Sequence, residues 1–272
     1  MRSSGSIGKS VTQVWILPAA LMLGGAMTAF LNLSQVAVSP SLASDAPFRA
    51  ELWGSIAPVY QAILKHPFLL ELQTGRLPRQ SFRFYLIQDL QYLGAFSRAL
   101  EYAAAKAPMP EWAEILRRHA RGATESEGQL HRTILENYGI TQDRIRSAKM
   151  APANFAYTNF LVATACSRPF PEILAALSPC YWVYLEVGKE LKKKGSRDKT
   201  YQLWIDTYSS PGYERDVEEF LSILDASARG ASDEERSRMR EHFDRASRYE
   251  WMFWDMAYRL ESWPPKPRRG IE

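Results

Sequence analysis

The sequence predicts an all-α, single-domain protein, on three observations. Apolar residues recur at three- and four-residue spacing from Phe48 to Glu261, and no segment alternates in steps of two between turn dipeptides. Proline, glycine and capping signals punctuate the chain at helix-length intervals. No internal repeat or linker interrupts 47–262. With 272 residues, 46% of them apolar, the chain can bury a sizeable core.

The first helix is expected over Pro47–Lys65, with Pro58 kinking it, because a proline removes one ladder donor. His66-Pro67-Phe68 interrupts it, and a short helical piece follows up to Gly75. A long helix is expected over Arg79–Lys106, closed by Pro108 and Pro110, and another from Trp112 to about Asn137. Thr141 can cap a short turn before the segment Pro152–Ser167. Arg168-Pro-Phe-Pro171 opens a helix that ends at Gly195, since proline suits a first turn. Helices over Tyr201–Tyr208, Tyr213–Ala228 and Glu234–Glu261 complete the set, the last opened by the capping box of Ser232 and Glu235. That makes eight or nine helices in a bundle over residues 44–263, with 264–272 as a disordered proline-rich tail.

Residues 1–43 read differently. Arg2 and Lys9 precede an uncharged stretch that ends in Ser41-Leu42-Ala43, and the first acid of the chain is Asp45. A basic start, an apolar middle and a small-residue cleavage pattern describe a signal peptide. An uncleaved membrane anchor and a cytosolic chain with an early start codon are the alternatives. The net charge is only +4, with Lys and Arg scattered among acids, so no nucleic-acid surface is implied. Lys192-Lys-Lys194 reads as a solvated helix end.

Three ionisable groups stand on apolar helix faces. Asp89 shares a face with Tyr85, Tyr92 and Phe96, and Glu250 with Phe243, Ala246, Phe253 and Ala257. Cys180 lines up with Leu177, Tyr184, Val187 and Leu191. Each taken alone is more often a satisfied core residue than a catalyst. Together they offer a thiol nucleophile and carboxyl proton carriers. The two cysteines exclude a disulfide framework, and Cys166 reads as a core filler. None of the four histidines is tied to Cys180 by spacing, which argues against a protease-like triad. His66 suits a helix cap, His119 sits among arginines and reads as solvated, and His242 lies beside Glu241. Glu127 and His131, four apart, could offer two metal ligands but read as a surface pair or a local hydrogen bond.

From Trp53 to Trp263 the chain resembles the TenA family of thiaminase II and aminopyrimidine aminohydrolases. The resemblance is carried by Leu52-Trp-Gly-Ser-Ile-Ala-Pro-Val-Tyr60, His66-Pro-Phe68, Tyr85-Leu-Ile-Gln-Asp-Leu-Gln-Tyr-Leu93 and Ala156-Tyr-Thr-Asn159. Pro179-Cys-Tyr-Trp-Val-Tyr-Leu-Glu-Val-Gly188, Trp204-Ile-Asp-Thr-Tyr208 and Tyr249-Glu-Trp-Met-Phe-Trp254 continue it in order. It implies a haem-oxygenase-like helical bundle, a homotetramer, and no metal or organic cofactor. The implied reaction releases ammonia from an aminomethylpyrimidine to give the hydroxymethylpyrimidine of thiamin salvage, and many members also cleave thiamin. On this resemblance Cys180 is the nucleophile, Glu250 the proton donor, and Asp89 the acid on the ring's amino group and nitrogen. Tyr92 and Tyr184 flank the pyrimidine, while the Tyr157 and Tyr208 hydroxyls touch it or the catalytic groups. Two other classes stay open: a non-catalytic exported thiamin or pyrimidine binder, and an oxidising fold relative of the PqqC or di-iron kind.

Overall fold

Proline placement and capping set the helix boundaries in the computed structural model, which describes residues 47–265. The leader-like segment 1–43 and residues 266–272 of the expected tail lie outside that range. Among the described residues every regular element is helical, and no helix is long and apolar enough to cross a membrane.

The helix expected over Pro47–Lys65 is two helices, α1 (Phe48–Ser55) and α2 (Ala57–Leu64). Pro58 lacks the N–H that would bond back to Gly54, so the ladder breaks at Ile56 and restarts with proline in the first turn. His66 caps α3 (Pro67–Thr74): its Nδ1 accepts the Phe68 N–H at 3.1 Å, and Gly75 ends the helix in the left-handed region at φ 74°. α4 (Arg79–Lys106) carries the expected inward stripe of Tyr85, Asp89, Tyr92 and Phe96, all buried.

The next expected helix is also divided. α5 (Pro110–Gly122) and α6 (Gly128–Asn137) are joined by a π turn at Ala123–Glu127. The buried set of α5 is Ala113, Leu116, His119 and Ala120, and that of α6 is Gly128, His131, Ile134 and Leu135. At about 100° per residue, an unbroken helix would carry the second set away from the line of the first. The wider turn takes up that drift and keeps both sets against α4.

α7 (Gln142–Ser147) is capped by the Thr141 hydroxyl, and α8 (Pro152–Ser167) follows. α9 (Phe170–Lys192) packs most extensively on α12 (Asp233–Arg259) and also meets α8, α10 (Lys199–Tyr208) and α11 (Pro211–Arg229). Ser232 and Glu235 close the expected capping box on α12. Gly188 is what lets α10 end against α9. A Cβ there would sit 2.8 Å from the carbonyl carbon of Tyr208, closer than carbon atoms tolerate.

Candidate active site

The thiol helix is shaped by its own proline. Pro179 gives no N–H to the Ala175 carbonyl, and the Ser178 hydroxyl supplies donors instead, to the carbonyl oxygens of Leu174 at 2.6 Å and Ala175 at 3.4 Å. One residue on, the Tyr213 hydroxyl of α11 donates to the carbonyl oxygens of Cys180 and Tyr181, each at 3.2 Å. These bonds fix the backbone that carries Cys180. The cysteine itself is partly exposed, on the wall of a cavity of about 470 Å³. Glu127, Tyr208 and Tyr213 share that wall, and Arg118, Thr207 and Asp216 also border the cavity.

Two tyrosine–carboxyl pairs approach the thiol's surroundings. The Tyr157 hydroxyl of α8 donates to Oε1 of Glu250 on α12 at 2.6 Å, and both side chains are buried. The Tyr208 hydroxyl of α10 donates to Oε1 of Glu127 in the π turn. The third carboxyl, Asp89, faces a histidine: its Oδ2 lies 3.0 Å from Nδ1 of His131. That approach is off the line of the ring N–H, so it is an ion contact rather than an aligned hydrogen bond.

The electrostatics follow from burial. Withdrawal from water pushes Glu250 up to about 8, and the Asp89 charge adds to this, while the Tyr157 bond pulls it back. Burial and Asp89 push Glu127 up to about 7, against the opposing pull of His131 and Tyr208. The Cys180 thiol is held well above its ordinary range, first by desolvation and then by Glu250 and Glu127. Burial lowers His131, but the Asp89 contact and the Glu127 charge outweigh it, and the imidazole is raised. At neutral pH the site is therefore rich in protons, with a thiol that needs a base to become a nucleophile.

Aromatic rings enclose the polar groups. Tyr92 packs on Tyr157 and Phe253 at centroid distances of 5.1 and 5.5 Å, and its hydroxyl sits beside the thiol without an aligned partner. Tyr184 packs between Tyr208 at 5.0 Å and Trp254 at 5.2 Å. A flat heteroaromatic ring suits such faces.

All seven residues singled out from sequence thus fall in one region: Cys180, Glu250, Asp89, Tyr92, Tyr157, Tyr184 and Tyr208. The open cavity touches Cys180 and Tyr208, whereas Asp89, Glu250, Tyr92, Tyr157 and Tyr184 are packed behind its wall. Several expectations are corrected. Glu127 and His131 are no surface pair: His131 is 0% exposed, and both turn into the site. Its place on one face with Ile134 and Leu135 was the signal that the neighbouring charges obscured. His119 is buried, not solvated, with Nδ1 3.1 Å from the Tyr181 hydroxyl and Nε2 3.1 Å from Glu219. Cys166 is exposed rather than a core filler, because its neighbour Ala165 takes the inward position of α8. Ligand atoms of Asp89, Glu127 and His131 lie within 4.8 Å of one another, a spacing compatible with a cation, though His131 already serves Asp89 as a charge partner.

Known proteins carry the same arrangement of helices. The chain is 35% identical over 225 residues to the aminopyrimidine aminohydrolase of Bacillus subtilis, covering 83% of this chain and 95% of that one. The solved TenA homologue protein from P.horikoshii OT3 superposes with a TM-score of 0.74 at 31% identity, over 79% of this chain and 99% of its own. A domain from Shewanella denitrificans, described as having a heme oxygenase-like fold, superposes with a TM-score of 0.62 at 13% identity, over 78% of this chain and 92% of its own. That last likeness supports the fold alone, and it agrees with the haem-oxygenase-like bundle expected from sequence. Residues 53–260, which hold every group of the site, match the TENA/THI-4/PQQC family, and the chain belongs to it.

Proposed function

We propose that this chain hydrolyses aminopyrimidines in thiamin salvage, converting an aminomethylpyrimidine and water to the hydroxymethylpyrimidine and ammonia through Cys180. The observation that carries this reading is a thiol and a carboxyl group with a raised pKa enclosed in one aromatic site. The curated relatives named aminopyrimidine aminohydrolase support the same reaction.

In the proposed cycle Asp89 holds the exocyclic amine and ring nitrogen between the faces of Tyr92 and Tyr184. Glu250 in its ionised form takes the proton of the Cys180 thiol as the sulfur adds to the ring. Glu250 then gives that proton to the amine on the methylene carbon, the C–N bond breaks, and ammonia leaves. Water adds to the exocyclic carbon and returns a proton through Glu250, and the C–S bond breaks to restore the thiol. Tyr157 steadies the carboxyl group through its 2.6 Å bond. A group that must both accept and donate works best with a pKa near the working pH, and the displaced value of Glu250, about 8, suits that task.

The test is ammonia release from 4-amino-5-aminomethyl-2-methylpyrimidine by the purified chain, with Cys180→Ser and Glu250→Gln compared. Full turnover by either variant overturns the mechanism. Tight pyrimidine binding with no turnover under reducing conditions would favour the non-catalytic binder. Thiamin is proposed as a second substrate, a homotetramer as the assembly, and export as the fate of the chain. The export proposal rests on the pattern of residues 1–43 alone, and N-terminal sequencing after fractionation decides it.

A further inference from the structure

Two ionisable groups have no task in that cycle, the buried His131 and the half-buried Glu127. His131 is 0% exposed, and neither of its ring nitrogens has an aligned hydrogen-bond partner, nor has Oδ2 of Asp89. A polar group so withdrawn from water is costly unless it is satisfied or retained for a purpose. Asp89 stands 3.0 Å from it on α4, Glu127 approaches from the π turn, and the Tyr85 ring lies edge-on at 6.4 Å. Arg132 is the nearby cation on its own helix, and Tyr208 bears on the cluster through Glu127. His131 therefore faces two acids behind the wall on which the thiol sits.

We infer that His131 is a positioning residue that, as an imidazolium against Oδ2, orients Asp89 and drives the proton it shares with the substrate onto the ring nitrogen. Glu127, held by Tyr208, supports the imidazolium as a second acid within 4.8 Å. With the imidazolium 3.0 Å from Oδ2 on one side of Asp89 and the pyrimidine on the other, the proton between Asp89 and the ring rests on the ring nitrogen. The proton comes from solvent: one O–H of water is exchanged for one N–H of the ring, hydroxide is left to the solvent, and nothing is oxidised or reduced. A protonated ring accepts the electron pair of the Cys180 sulfur more readily. The inference rests on Asp89 as the group that holds the ring.

The experiment binds the hydroxymethylpyrimidine product to the full chain and reads its ultraviolet spectrum, which changes on ring protonation. It is done above neutral pH, where the free ring is neutral. The intact chain should show the protonated spectrum, His131→Gln the neutral one, and Glu127→Gln a mixture. Turnover by His131→Gln should fall about 100-fold in kcat, with KM changed far less. A protonated spectrum and undiminished kcat in His131→Gln overturn the inference, as does a stoichiometric divalent metal that is lost in that variant. If His131→Gln does not fold, Glu127→Gln decides: an unshifted spectrum there overturns it as well. Asp89→Asn keeps the two readings apart. Undiminished product binding by Asp89→Asn sinks the ring-binding role of Asp89, whereas lost binding there with a protonated spectrum in His131→Gln sinks only the role of His131.

Discussion

The Tyr157 hydroxyl donates to Oε1 of Glu250 at 2.6 Å, in a place where both side chains are about 1% exposed. This bond favours the ionised carboxylate, whereas burial favours the neutral acid, and burial wins. The outcome is a carboxyl group that carries a proton at neutral pH.

Stability should accordingly depend on pH. A free glutamate titrates near about 4.3, whereas Glu250 is pushed up to about 8 and Glu127 to about 7 in the folded chain. Between these values the folded state holds protons that the unfolded chain gives up, so stability falls as pH rises. His131, also raised, adds to the same trend. Thermal melts of the intact chain should lose at least about 1–2 kcal/mol over that window. Glu250→Gln should flatten the slope and melt above the intact chain at the alkaline end, and an unchanged slope would contradict the assignment.

Cys180→Ser should lower kcat by about three orders of magnitude or more, because an alcohol is a far poorer nucleophile than a thiolate. The product's affinity should change little. Steady-state kinetics and calorimetric titration of the hydroxymethylpyrimidine check the two halves separately.

Asp89→Asn should weaken pyrimidine binding about 10- to 100-fold, the cost of about 1.5–3 kcal/mol for losing a hydrogen bond to a charged group. Titration with the product measures this directly. Binding as tight as in the intact chain would remove Asp89 from the site.

Gly188→Ala tests how α10 is held. The added methyl group would meet the Tyr208 backbone at 2.8 Å, and backbone cannot step aside as a flexible side chain can. The expected cost is about 1–3 kcal/mol of stability, with reduced turnover because Tyr208 is displaced from Glu127. A chemical denaturation curve beside an activity assay shows whether the two losses appear together.

Much of this site is legible from spacing, because α4, α9 and α12 are long helices whose inward stripes are regular. Asp89, Cys180 and Glu250 interrupt those stripes, and each lies where its stripe points. The ends of α4 and α8 coincide with the expected Arg79–Lys106 and Pro152–Ser167, where prolines adjoin both helices. What spacing hides is depth and phase. His119 and His131 sit among arginines and glutamates, and their neighbours' charge masked an inward face. The π turn has no sequence signature comparable to a proline, since it results from how α5 and α6 both pack on α4. Glu127 owes its place in the site to that turn.

The same turn makes the length of the chain between Gly122 and Gly128 matter more than its letters. Within its five residues, Ala123–Glu127, Ala123 is buried, Glu125 faces solvent and Glu127 turns into the site. Removing one residue would close the turn into ordinary α-helix with the faces of α5 and α6 still in line, because the wider turn is what accommodates that residue. His131 would stay beside Asp89, and Ile134 and Leu135 would keep their places in the core. An added residue finds no such slack: it would turn everything beyond it by about 100° relative to α5, uncoupling one wall of the pocket from the rest while leaving every functional residue in the chain.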